Sequence, residues 1–67
     1  MKGYENLIKE LKKQEISIPQ LATKIDMSKQ LLYYHLRNFK KGKNTFKAVQ
    51  LEKICDTLNK TISFFLD

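Results

Sequence analysis

The residues able to do chemistry are unevenly spread along this chain. His35 is the only histidine and Cys55 the only cysteine. Neither has a second donor at ligand spacing, so no metal centre is expected. Cys55 falls in an apolar helical stripe and reads as a packed side chain rather than a reactive thiol. Serines and carboxylates occur, but no spacing unites a nucleophile with a base, and no glycine-rich phosphate loop is present. The sequence therefore predicts neither an enzyme nor a cofactor site. His35 reads as a half-buried ring bonded within a helix bundle, with a phosphate contact as the alternative. A different chemistry is concentrated between residues 29 and 37. If Leu32, Leu36 and Phe39 turn inward on a helix, Lys29, Gln30, Tyr33, Tyr34 and Arg37 share the opposite face. These types suit the edges of paired bases. Gln30 can bond adenine N6 and N7 together, and Lys29 and Arg37 can address guanine O6 and N7. A tyrosine offers a hydroxyl to phosphate or a ring to a thymine methyl, or else packs on a neighbouring helix or subunit.

The charge pattern points the same way. The chain carries a net charge of +6, from 13 basic and 7 acidic residues. No acid lies between Asp26 and Glu52, whereas Lys29, Arg37, Lys40, Lys41, Lys43 and Lys47 all do. The remaining charges cancel, so the whole excess sits on one helix and the loop after it. A solvated lysine-rich loop would not explain why acids are excluded over the same window. A one-sided basic stripe of this kind is the footprint of a polyanion site.

The elements that must position these residues are two short helices joined by a tight turn. Ser17 can cap the first, and Gln20 can reach back to the Ser17 backbone to complete a capping box. Pro19 falls inside the opening turn, where its missing N–H costs nothing. Leu21, Ala22 and Ile25 share one face. Only Asp26 and Met27 separate Ile25 from Ser28, which restarts the pattern as a second cap. So short a connection makes the second helix leave steeply and pack across the first, and Ala22 allows the close approach. The spacing predicts helices at about 18–25 and 29–38, a helix-turn-helix, with Asp26 in the left-handed conformation that Asp tolerates better than most residues.

The residues Leu21-Ala22-x-x-Ile25-Asp26-Met27-Ser28-Lys29-x-x-Leu32 resemble the Cro/repressor-type (Xre-like) helix-turn-helix regulators of phages, plasmids and bacterial chromosomes. A second block, Leu51-x-x-Ile54-Cys55-x-x-Leu58-Asn59-Lys60-Thr61-Ile62-Ser63-x-x-x-Leu66, is similar to the helices that follow in that family. Together the blocks cover nearly the whole chain, whose size is similar to that of phage Cro proteins. Two positions depart from the pattern: Asp26 stands where glycine is frequent, and His35 where an apolar residue is usual. The resemblance implies a compact five-helix, all-α, lambda-repressor-like domain. It also implies a double-stranded DNA operator as partner, bound by a homodimer. Ser28, Lys29, Gln30, Tyr33 and Tyr34 match its base-contacting positions, and Arg37 and Asn38 match positions nearer the backbone. The start of the second helix would point at phosphate, which agrees with its free N–H groups and dipole. Ser17 and Gln20 would join that contact while also serving as caps. The loop and next helix start would follow the DNA backbone through Lys40, Lys41, Lys43, Asn44 and Lys47, with backbone N–H groups near Phe46. Such contacts add affinity without sequence choice.

The rest of the chain reads as scaffold. A first amphipathic helix is expected at 3–15, with Tyr4, Leu7, Ile8 and Leu11 inward and Gly3 frayed. Gly42 supplies a special conformation in the loop, and Asn44 or Thr45 caps a helix at about 46–58. That helix carries Phe46, Leu51, Ile54, Cys55 and Leu58 at core spacing and stops at Asn59. A last short turn brings Phe64, Phe65 and Leu66; Ile62 and one Phe are expected to close the core, and the tail is the candidate dimer surface unless all of it belongs to the core. At 67 residues one domain is expected, burying roughly 60% of its unfolded surface, too little for a deep substrate cleft. No secretory signal or membrane span is legible, which implies a cytoplasmic protein, and no small-molecule ligand is expected. The competing reading is a protein-interaction module on the same fold, antitoxin- or adaptor-like, which an acidic third helix would have favoured. RNA binding would call for aromatic platforms on a sheet or groove rather than tyrosines on a helix.

Overall fold

The computed structural model describes residues 2–61 and Ser63. Its helices are α1 (Lys2–Lys13), α2 (Ile18–Lys24), α3 (Lys29–Lys40) and α4 (Ala48–Leu58), and no strand occurs among the described residues. The chain is thus all-helical with four helices in this range. The fifth, expected around Ser63–Leu66, falls on residues outside the described ones apart from Ser63.

The caps predicted for α2 and α3 form. The Gln20 N–H donates to Ser17 Oγ at 3.2 Å and the Ser17 N–H donates to Gln20 Oε1 at 2.7 Å, the reciprocal pair of a capping box. Pro19 sits in the first turn of α2. At α3 the Leu31 N–H donates to Ser28 Oγ at 3.1 Å. The start of α4 differs from expectation. Its N-cap is Lys47, whose N–H donates to Gln50 Oε1 at 2.8 Å, and the helix begins at Ala48 rather than 46. Asn44 instead accepts the Phe46 N–H at 2.9 Å, a side-chain turn two residues long, and Thr45 is drawn to His35.

All four helices stop in the same way. Glu15, Asp26, Gly42 and Asn59 take positive φ values of 58°, 60°, 86° and 58°. In each case the following N–H folds back to a carbonyl of the last turn: Ile16 to Leu11, Met27 to Ala22, Lys43 to Asn38, and Lys60 to Cys55, at 2.9 Å each. This is the Schellman arrangement, which satisfies carbonyls that the helix end leaves open. The sequence pointed to three of these stops. It missed Glu15, and α1 therefore ends at Lys13 instead of 15; Ile16, just beyond, is half-buried against the core. Gly3, expected to fray, is a buried residue of α1. Helix α3 runs to Lys40, one turn-fraction beyond its expected end.

The core is one cluster fed by every helix. Leu7 and Leu11 come from α1, Leu21 and Ala22 from α2 with Ile25 at its C-cap, and Leu32, Leu36 and Phe39 from α3. Phe46 precedes α4, which adds Ile54, Cys55 and Leu58. Helix α3 packs on both α1 and α2, and α2 also meets α4. Fully burying each large apolar side chain stabilises the fold by about 1.5–3 kcal/mol. Phe39 meets Phe46 edge to face at 5.7 Å. A polar clasp joins the ends of α1 and α4: Gln14 Nε2 donates to the Leu58 carbonyl at 2.9 Å and to Glu10 Oε2 at 2.7 Å. Lys60 Nζ lies 3.6 Å from Glu10 Oε1.

The left-handed stop between α2 and α3 is testable. Asp26→Val places a β-branched residue at φ 60° and should cost about 1–2 kcal/mol. Asp26→Gly should keep or raise stability. Urea unfolding followed by circular dichroism measures both.

Candidate nucleic-acid interface

Helix α3 is held by four buried residues, Leu32, His35, Leu36 and Phe39. Apart from the half-buried Asn38, its other residues are thereby left to solvent. Lys29, Gln30, Tyr33, Tyr34 and Arg37 are all exposed, the two tyrosines by 44% and 51%. The five residues with base-edge chemistry thus stand on the solvent side of one rigid helix. They are not one flat face. Tyr33, Arg37 and Lys40 border a groove whose apolar floor comes from Tyr4, Ile8, Ile18 and Leu36. Ser28 and Lys47 border a second hollow on the side of α4. Gln30 and Tyr34, four residues apart on one side of α3, line neither hollow and form the crest between them.

The residues expected at phosphates are placed as follows. Ser17 and Gln20 are exposed at the start of α2, with one oxygen of each engaged in the capping box. The Ser17 hydroxyl hydrogen and the Gln20 amide group are the donors each can still offer. Asn38 is half-buried and its Nδ2 donates to the Tyr34 carbonyl at 3.1 Å. Lys40 closes α3, Lys41 is its C-cap, Lys43 follows the left-handed Gly42, and Lys47 caps α4; all four are exposed. Asn44 is exposed with its Oδ1 occupied by the Phe46 N–H. The N–H groups of Phe46 and Lys47, expected to face phosphate, are already bonded to Asn44 and Gln50. Among the described residues no ion pair involves the six basic residues of this stretch, whereas Lys60 pairs with Glu10. Ile62, Phe64, Phe65 and Leu66 lie outside the described residues.

His35 is the buried polar residue of the core, 7% exposed. Its Nδ1 lies 2.6 Å from Thr45 Oγ1, its ring stacks on Phe46 at 4.8 Å, and Tyr34 meets it edge-on at 5.4 Å. The expectation of a ring bonded within the bundle therefore holds, the ring being buried rather than half-buried, and its role is specific. It fastens the loop carrying Lys43 and Lys47 to the helix carrying Gln30. Burial holds its pKa below the ordinary imidazole value. Cys55 is buried, free and 3.6 Å from the Thr61 carbonyl, and burial with Asp56 and Glu52 nearby raises its thiol pKa. A reactive thiolate needs the opposite shift. Two exposed aliphatics complete the surface: Leu31, whose place the sequence left open, and Val49, which sequence reasoning passed over. Val49 is an apolar residue off the core spacing of α4, and that offset was the available signal. Among the described residues no group of acidic, histidine or cysteine side chains could hold a metal ion. None of the described helices is long and apolar enough to cross a membrane.

Two helices joined by a tight turn and packed on one another, the second exposing Lys29, Gln30, Tyr33, Tyr34 and Arg37, form a helix-turn-helix. The sequence profile of the Cro/C1-type HTH DNA-binding domain matches residues 6–63, and the chain belongs to that family. Comparison with curated proteins and with solved structures returned no match.

The buried imidazole makes stability depend on pH in a defined window. With its pKa below 6.5 when folded, the unfolded chain takes up a proton that the folded chain resists. The stability associated with the neutral ring is full above that value and erodes as pH falls below it. Glu10 acts lower: the Gln14 hydrogen bond, helped by Lys60 and Lys13, holds its pKa below 4.5, so its contribution is lost only as pH drops beneath 4.5. Thermal melts stepped down from neutral pH should show two successive declines. His35→Gln should remove the first and leave the second.

Proposed function

We propose that this chain is a sequence-specific, double-stranded DNA-binding transcriptional regulator that represses by occupying a palindromic operator. A homodimer places its two α3 helices in successive major grooves about 34 Å apart and blocks polymerase. Ser28, Lys29, Gln30, Tyr33, Tyr34 and Arg37 contact bases. Ser17, Gln20, Asn38, Lys40, Lys41, Lys43, Asn44 and Lys47 hold phosphates on either side. Phe64, Phe65 and Leu66 are assigned to the dimer contact on their apolar character.

The observation that carries this reading is the division of α3. Its apolar side is consumed by the core, and its solvent side carries Lys29, Gln30, Tyr33, Tyr34 and Arg37, residue types able to bond bases or phosphates, in a stretch without a single acid. Phosphate neutralisation supplies salt-dependent affinity, and the amide, phenol and guanidinium groups supply choice among bases.

Selection from a random duplex library at two salt concentrations, with sedimentation of the free protein alongside, tests it. The expected result is an enriched palindrome bound ~10³-fold or more above bulk DNA. Gln30→Ala should then relax the motif at one position per half-site, at a cost of about 1–3 kcal/mol. Lys41→Ala and Lys43→Ala should weaken binding evenly across sequences, each reducing the salt slope by about one per half-site. Weak binding that vanishes with modest salt and selects no motif would leave only a non-specific polyanion surface, and an interaction module would replace the operator model.

A further inference from the structure

Leu31 and Val49 are 42% and 54% exposed, and they belong to different helices. They nevertheless line one hollow, together with Met27 from the α2–α3 turn. Exposed aliphatics scattered singly need no explanation, but two that share a cleft beside a ligand-facing surface do. What surrounds the cleft identifies what covers it. Ser28, on one wall, belongs to the base-contacting set; Lys47, on another, belongs to the phosphate-contacting set. A duplex touching both must span the space between them. The rim carries Lys47 and Lys53 against Asp26 alone, a balance that suits a polyanion.

We propose that this cleft receives the 5-methyl group of a thymine, with Leu31 and Val49 as the contacting side chains, an inference that rests on the operator reading above. In the major groove each base pair presents donors and acceptors, and the thymine methyl is the apolar group among them. Leu31 directly follows Gln30 on the first turn of α3, so the thymine neighbours the base that Gln30 addresses. Leu31 is therefore a specificity-determining residue. It rewards a methyl through contact and expulsion of water, and it offers nothing to cytosine at the same place.

The test replaces thymine by deoxyuridine, one position at a time, in the duplex selected from the random library. Deoxyuridine keeps the pairing and the hydrogen-bonding groups and removes only the methyl. The wild-type protein should lose about fourfold in affinity at one thymine of each half-site, the effect of one methyl leaving an apolar environment. Leu31→Ala should bind the thymine and deoxyuridine duplexes equally at that position, and Val49→Ala should narrow the difference. Both residues are exposed, so unchanged thermal midpoints should accompany the variants. The proposal is overturned if a motif is selected but no thymine within it responds to the exchange. It is equally overturned if Leu31→Ala and Val49→Ala retain the full deoxyuridine penalty. A change in sedimentation with thymine discrimination intact would make the cleft a protein surface instead. Failure to select any motif would remove the operator reading itself, and this inference with it.

Discussion

The turn between α2 and α3 sets the rest of the structure. Asp26 in a left-handed conformation and the Met27 N–H bonded to the Ala22 carbonyl end one helix. Ser28 begins the next two residues later through its bond to the Leu31 N–H. With no slack between them, α3 can leave in only a narrow range of directions. That range lays Leu32, Leu36 and Phe39 in one core with Leu21, Ala22 and Ile25. The outward direction of Gln30 and Tyr34 is then a geometric remainder, since an α-helix that buries one side shows the other. Helices α1 and α4 complete the core and fix the hollows on either side of α3, but they do not choose its exposed face.

A second constraint links recognition to affinity. The loop after α3 carries Lys41, Lys43 and Lys47, and loops are normally the least fixed part of a domain. Here the loop is fastened at two points. Gly42 turns it back on α3 through the Lys43 N–H and the Asn38 carbonyl, and His35 holds Thr45 and Phe46 from the interior. A buried polar group is costly unless satisfied. No buried side-chain nitrogen or oxygen among the described residues lacks a partner. The departure from an apolar residue at position 35 therefore has a structural counterpart in Thr45, ten residues on.

Local chemistry was legible in the sequence and distant chemistry was not. The Ser17–Gln20 box, the Ser28 cap and the left-handed Asp26, Gly42 and Asn59 each follow from a residue type and its immediate neighbours. Glu15 gave no such signal. Its conformation comes from Ile16 settling against the core, and glutamate has no preference for it. Asn44 and Thr45 both looked like caps for α4, because either side chain could have served. The choice was made by His35, which α3 delivers to Thr45, and by the turn that Asn44 closes on Phe46. The Gln14–Leu58 clasp spans the chain and has no sequence pattern at all. At the candidate interface the residue types and their exposure could be read. The separation of Tyr33, Arg37 and Lys40 from Ser28 and Lys47 could not, since it depends on where α1 and α4 pack.

The repeated helix stop also bears on how the chain reaches its fold. Each of the four ends is closed by bonds spanning at most five residues, and the starts of α2, α3 and α4 are set by bonds spanning three. Most of these boundaries can therefore be drawn before any helix meets another, the end of α1 and the start of α4 being the two that also draw on contacts with the core. The remaining search is the docking of pre-bounded segments over short connections, a topology of low contact order whose folding belongs in the microsecond-to-millisecond range. Little time is then spent with the apolar stripe of α3 uncovered. A chain with so small a core gains from that brevity, because self-association competes with folding while such surface is open.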